Sequence, residues 1–188
     1  LERFREGLVI DLIVDRDETL AWWVGRELDV DLGPQCRAIG FARGGKLLGA
    51  CVFHNFIWPT IEATIWTSDP SWCNRRTLFA IFWHPFINLK CQRMGATTAI
   101  HNTHAQRFLE RLGFRREGLA RSAMRYRLVP EGYCDAVIYG MAPGECRWLG
   151  SLRPGPTQYL AGTSAPAPAQ ARRRSDQKGR PGAGPSTG

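Results

Sequence analysis

Two groups of side chains in this sequence have the types and spacing to do chemistry. Glu62 stands on the polar side of an alternating run, with Ile61, Ala63 and Ile65 against Glu62, Thr64 and Trp66. That is the pattern of a strand with one buried face. A carboxylate presented in this way can take a proton from an amine, and it is equally what an ordinary solvent-facing glutamate looks like. His54 and His101 fall near strand ends that could face the same cleft, and imidazole is the other side chain suited to proton transfer near neutral pH. The second group is Arg75-Arg76-Thr77, at the start of an apolar helix. Guanidinium groups there either hold phosphate through charge-assisted hydrogen bonds or simply solvate the helix end. His101 and His104 have His-x-x-His spacing, but no third ligand accompanies them, so no metal site is expected.

These residues need strands and helices to position them. Leu8 to Val14 reads as a first strand. Asp15 or Asp17 caps a helix that carries Leu20, Trp23, Val24 and Leu28 on one face. Two further strands flank Gly44-Gly45, a pair suited to a tight hairpin. Pro59 separates them from the strand that carries Glu62. A helix follows from about Thr77 to Leu89, with Pro85 removing a donor inside it, and Arg93 to Ile100 returns as a strand. In the next helix Ala105, Phe108, Leu109 and Leu112 share one face, and Gly113 sits where a left-handed residue ends it. Either Thr103, with Gln106 three residues on, or Asn102 is its N-cap. Arg115 to Arg125 and Ala136 to Met141 are the last strands, and Glu145 to Leu149 adds a helical turn.

The stretch Asn102-x-x-Ala105-x-x-Phe108-Leu109-Glu110-Arg111-Leu112-Gly113-Phe114, followed by Arg116-Glu117-Gly118, resembles the GNAT superfamily of N-acetyltransferases. The resemblance is to the branch that acetylates ribosomal-protein N-termini. Phe86, Cys91, Asp135 to Met141 and Glu145 to Trp148 also resemble a GNAT-like group of phages and prophages. It covers roughly residues 8–149 and implies an α+β fold with a mixed central sheet of about seven strands and flanking helices. The function implied is transfer of an acetyl group from acetyl-CoA to a primary amine, by direct attack in a ternary complex. The resemblance further implies Glu62 as general base, with His54 next in line. It implies backbone N–H groups of Trp66 and Thr67 for the oxyanion, Arg75, Arg76 and Thr77 for the pyrophosphate, and the Asn102 amide for pantetheine. Two positions depart from the pattern. Trp72 to Thr77 lacks the glycines that let a backbone approach phosphate, and Leu109 occupies the place of a tyrosine general acid, with Ser122 and Tyr133 as substitutes.

Composition bounds the alternatives. The 188 residues, 44% hydrophobic, suffice for one domain with a full core, expected over residues 1–150. No apolar run is long enough to span a bilayer, and Arg3, Arg5 and Asp11 break any signal-peptide pattern. The six cysteines lack Cys-x-x-Cys spacing and read as free thiols of a cytoplasmic protein. Of the net charge of +8, +5 falls in residues 151–188, a Pro/Ala/Gly/Arg-rich tail expected to be disordered. Two other functions stay open. One is a catalytically degenerate protein of the same fold that binds CoA or a protein partner. The other is a nucleic-acid-associated protein using Arg172-Arg173-Arg174, although no nucleic-acid motif accompanies that cluster. The acceptor amine and the oligomeric state have no signature.

Overall fold

The alternation in the sequence folds as a seven-stranded mixed sheet in the computed structural model, which describes residues 9–125 and 132–150. The strands are β1 (Asp11–Ile13), β2 (Arg37–Arg43), β3 (Lys46–Ile57), β4 (Thr60–Thr67), β5 (Arg93–Ala99), β6 (Arg115–Arg125) and β7 (Tyr133–Met141). Their order across the sheet is β1-β2-β3-β4-β5-β7-β6. Only β4 and β5 run parallel. Residues 1–8, 126–131 and 151–188, which include the start of the expected first strand and the whole basic tail, lie outside the described residues.

Among the described residues three α-helices cover the sheet: α1 (Asp17–Leu28), α2 (Arg75–Trp83) and α3 (Thr103–Leu112). Leu20, Ala21 and Val24 of α1 pack on Ala38, Ala50 and Val52, on one face of β2 and β3. The other face carries the main core, where Phe41, Phe53, Ile61, Met94, Val137 and Tyr139 meet Ile81 and Phe82 of α2 and Leu109 and Leu112 of α3. Burying each leucine of that pair contributes about 1.5–3 kcal/mol. Phe108 shares their helix face but is only half-buried, its ring edge-on to Trp72 at 6.2 Å.

The helix ends follow side-chain chemistry, in places differently from the expectation. α1 has Arg16 at its N-cap with no side-chain cap bond. Asp17, expected to cap it, instead accepts from Arg37 Nη1 and from the Ala38 backbone N–H, both at 2.7 Å, and so ties the helix to β2. α2 begins at Arg75 rather than Thr77. Past Trp83 the ladder slips to a π turn over His84–Asn88, with Leu89 N–H donating to His84 O. Pro85 has no N–H to continue the α pattern. At the end of α3 Gly113 has φ 108°. Phe114 N–H reaches Leu109 O and Gly113 N–H reaches Glu110 O, both at 3.0 Å, a Schellman arrangement.

Candidate functional site

β4 and β5 hold together for only three pairs, from Thr60↔Arg93 to Glu62↔Gly95. Beyond them β4 stays with β3 as far as Thr67, and β5 follows β7 as far as Ala99. The facing edges of Ala63–Thr67 and Ala96–Ala99 therefore have no strand partner among the described residues. Backbone N–H and C=O groups line such a cleft and need partners. From the open end of β4 the chain turns through Pro70–Trp72 into the start of α2. The cleft thus runs from the Glu62↔Gly95 apex towards a helix N-terminus.

At the apex the sheet brings Glu62 and His54 together as direct partners across β4 and β3. The alternation of β4 sends Ile61 and Ala63 into the main core. Glu62, Thr64 and Trp66 point to the α1 side. His54 Nε2 lies 2.9 Å from Thr64 Oγ1, and Asn55 Nδ2 donates to Glu62 Oε2 at 3.1 Å. Burial pushes the His54 imidazole below its ordinary pKa, against the opposing pull of the Glu62 charge and the Asn55 hydrogen bond. It is therefore mainly neutral at pH 7, the form that can accept a proton.

Next to this pair lies a feature with no counterpart in the sequence reading. Gly95 of β5 faces Gly140 of β7, and a side chain at either would displace the head group of Arg93 or Glu117. A Cβ on Gly95 would sit 2.8 Å from Arg93 Nη1 and 3.4 Å from Glu62 Cγ. On Gly140 it would collide with the Glu117 carboxylate. Across this glycine floor Arg93 donates to Glu117 Oε2 from Nε at 3.1 Å and from Nη2 at 2.5 Å. Nη2 also reaches Tyr139 O at 3.3 Å.

The helix N-terminus at the other end of the cleft is already capped. Asn74 Oδ1 accepts from the Arg76 and Thr77 backbone N–H groups at 2.9 and 3.1 Å. Thr77 Oγ1 accepts from Asn74 N–H at 3.1 Å and lies 2.7 Å from Trp72 O. This is a closed capping box. Thr77, expected at the pyrophosphate, is fully buried, and its hydroxyl is spent inside the protein. The exposed Arg75 and Arg76 stand on the first turn. A pyrophosphate would meet these two guanidinium groups at the helix start, where the dipole also favours an anion. It would meet the N–H donors only where the Asn74 carboxamide gives way. Arg75 and Arg76 thus suit a pyrophosphate by charge, while Asn74 holds two of the backbone donors it would use.

The other expected cofactor residues are placed as follows. Trp66 packs its ring edge-on against Trp23 at 4.5 Å. Thr67 Oγ1 lies 2.9 Å from Leu48 O of β3 and 2.8 Å from Asp69 O of the following turn, its one hydroxyl proton shared between these two acceptors. Neither side chain is directed to a ligand. Ser68 N–H donates to Leu48 O, so by alternation Trp66, paired with Ala50, also turns its backbone to β3, and of the two it is Thr67 that offers backbone on the open edge of β4. Asn102 is the N-cap of α3, its side-chain oxygen accepting from Ala105 N–H at 3.1 Å. Thr103 is not the cap, and Gln106 turns back to Ile100 O at 2.7 Å. Among the described residues the Asn102 amide nitrogen has no hydrogen-bond partner, the cap using the oxygen. Leu109 is buried in the core. Ser122 N–H donates to Asp135 Oδ1 at 2.9 Å, and Tyr133 is exposed at the start of β7. Among the described residues no three His, Cys, Asp or Glu are grouped as metal ligands. All six cysteines are free, and no described helix is long and apolar enough to cross a membrane.

No family profile matches the chain, and no curated protein matches it. Solved structures do. One provisionally assigned acetyltransferase is 25% identical with a TM-score of 0.53, over 63% of this chain and 61% of that one. Another, from T. thermophilus, is 24% identical with a TM-score of 0.51, over 63% of each chain. A point mutant of the spermidine N-acetyltransferase of Vibrio cholerae is 13% identical, with a TM-score of 0.55 over 71% of this chain and 93% of that one. The chain thus spans under two thirds of the length of the first two. Its mixed seven-stranded sheet with flanking helices is the fold of the GNAT acetyltransferases.

Proposed function

We propose that this protein transfers an acetyl group from acetyl-CoA to a primary amine, with both bound together. The observation that carries this reading is the parting of β4 and β5 immediately beyond the Glu62–His54 pair. A base at the apex of a backbone-lined cleft is what acetyl transfer to an amine requires, and acetyltransferases share the fold. When bound, acetyl-CoA supplies an activated thioester acetyl group. The open edge of β4, to which Ile65 and Thr67 turn their backbone, would hold pantetheine and donate backbone N–H to the thioester oxygen, while Trp66, paired with Ala50 of β3, would not. Arg75 and Arg76 would neutralise the pyrophosphate, and the Asn102 amide would contact the pantetheine. Glu62 takes the proton from the ammonium ion, oriented by the Asn55 amide. Neutral His54, directly opposite, is the second group able to take that proton.

The capping box at α2 favours a second reading, a protein of this fold that binds CoA or a protein partner without turnover. Asn74 occupies two N–H donors that a phosphate would use. Thiol release from acetyl-CoA with an amine acceptor separates the two, since only the first turns the cofactor over, and calorimetric titration with acetyl-CoA tests the binding that both allow. Saturable binding, weakened about 10²–10⁴-fold when Arg75 and Arg76 are both replaced by Ala, is expected from two charge-assisted contacts. The absence of any binding heat across several temperatures would set acetyl transfer aside.

A further inference from the structure

The Arg93 guanidinium is only partly used. Its Nε and Nη2 are directed to Glu117 and Tyr139 O. Its Nη1 makes no hydrogen bond within the described residues. Instead it lies over Gly95, on the side where the Glu62 stem also approaches. The Arg93 side chain is 32% exposed and that of Glu117 43%, so solvent and ligands reach the pair. α1 packs on β2, β3 and β4, and Trp66 meets it through Trp23. A carboxylate and a fixed pair of N–H donors therefore stand side by side at the apex of the cleft, on a floor that two glycines keep low.

We propose that Arg93 is an acceptor-contacting specificity residue, donating from Nη1 to a carbonyl oxygen on the carbon attached to the amine-bearing carbon. This inference rests on the acetyl-transfer reading. Glu62 takes the ammonium, Arg93 takes the neighbouring oxygen, and Glu117 is a positioning residue that holds the guanidinium flat over Gly95. A bidentate carboxylate fixes the plane of a guanidinium as well as its position. Charge narrows the acceptor further. Glu62, Arg93 and Glu117 together carry one net negative charge, which suits an ammonium beside a neutral carbonyl better than an amino acid zwitterion. An alkylamine has no oxygen to offer, and leaves the Arg93 donors to water. The acceptor class is an α-amino amide.

The test uses the full ¹⁵N-labelled chain, titrated separately with glycinamide, glycine and propylamine while the Gly95 and Gly140 amide signals are followed. The expected result is that glycinamide moves both signals and binds about 10–100-fold tighter than propylamine, the range of one charge-assisted hydrogen bond, with glycine between them. Arg93→Met should abolish that preference in a spectrum otherwise unchanged. Should Arg93→Met fail to fold, Glu117→Gln, which keeps the guanidinium but loosens it, should reduce the preference several-fold. Equal binding of glycinamide and propylamine, glycine as the best ligand, or a preference that survives these replacements would overturn the proposal. CoA thiol release with glycinamide is measured alongside. Binding of glycinamide without thiol release would refute acetyl transfer and leave the Arg93 contact standing.

Discussion

Asn74 accepts two backbone N–H groups of α2, from Arg76 and Thr77, through a single side-chain oxygen. The helix thereby satisfies at its own N-terminus two of the donors that an anionic ligand would use. Stability and phosphate affinity compete for the same groups. Asn74→Gly should cost only a few tenths of a kcal/mol, since glycine is itself a tolerated N-cap, whereas Asn74→Ala should cost about 0.5–2 kcal/mol. Both should tighten acetyl-CoA binding in calorimetry. Unchanged or weaker binding would mean that the carboxamide contributes to the phosphate site and does not block it.

His84 gives the protein a pH dependence of known sign. Its ring is buried against Phe53 at 4.9 Å, and Nε2 has no hydrogen-bond partner. Burial, with the Arg37 charge adding to it, pushes its pKa down to about 4. The unfolded state binds the proton more readily, so this contribution is complete above about pH 6.5 and is lost as pH falls towards 4. Denaturant unfolding at pH 7.5 and pH 4.5 should show a fall of the order of 2–3 kcal/mol from this residue. His84→Leu should flatten that part of the profile, and a variant with the parent's slope would assign the effect elsewhere.

Position on α3 predicts unequal costs for two neighbouring side chains. Leu109 is buried in the main core, whereas Phe108 is half-buried. Leu109→Ala should cost about 2–5 kcal/mol, and Phe108→Ala less than the roughly 3–5 kcal/mol of a fully buried phenylalanine. Chemical denaturation of both variants checks the order. A larger loss at Phe108 than at Leu109 would make Phe108 the more deeply packed of the two, against their burial here.

The sheet was legible because its signals are local. Gly44-Gly45 takes the positive φ angles of a tight hairpin, and the alternation around Glu62 gives the face of β4 directly. The Glu62–His54 pairing follows from that hairpin register once the strands are placed. What escaped the sequence reading depends on choices between near-equivalent residues or on distant contacts. Asn102 and Thr103 are adjacent residues that both cap well, and the spacing to Gln106 pointed to the wrong one. The Asn74-x-x-Thr77 box is visible in hindsight as a capping pattern, but it lies in a stretch whose arginines drew attention to phosphate. Asp17 also looks like a cap, yet its carboxylate is taken by Arg37 of β2. The Arg93–Glu117 pair, 24 residues apart, forms only because β7 inserts between β5 and β6. No periodicity reports that order.

Turnover of Glu62→Gln tests the central claim most directly. The substitution keeps size and hydrogen bonding and removes the base. Thiol release from acetyl-CoA with an amine acceptor should fall about 10²–10⁴-fold at neutral pH. The loss should shrink at high pH, where the amine deprotonates itself, and acetyl-CoA affinity should stay near that of the parent. A variant that turns over like the parent at neutral pH, or a parent that releases no thiol with any amine, would contradict the account.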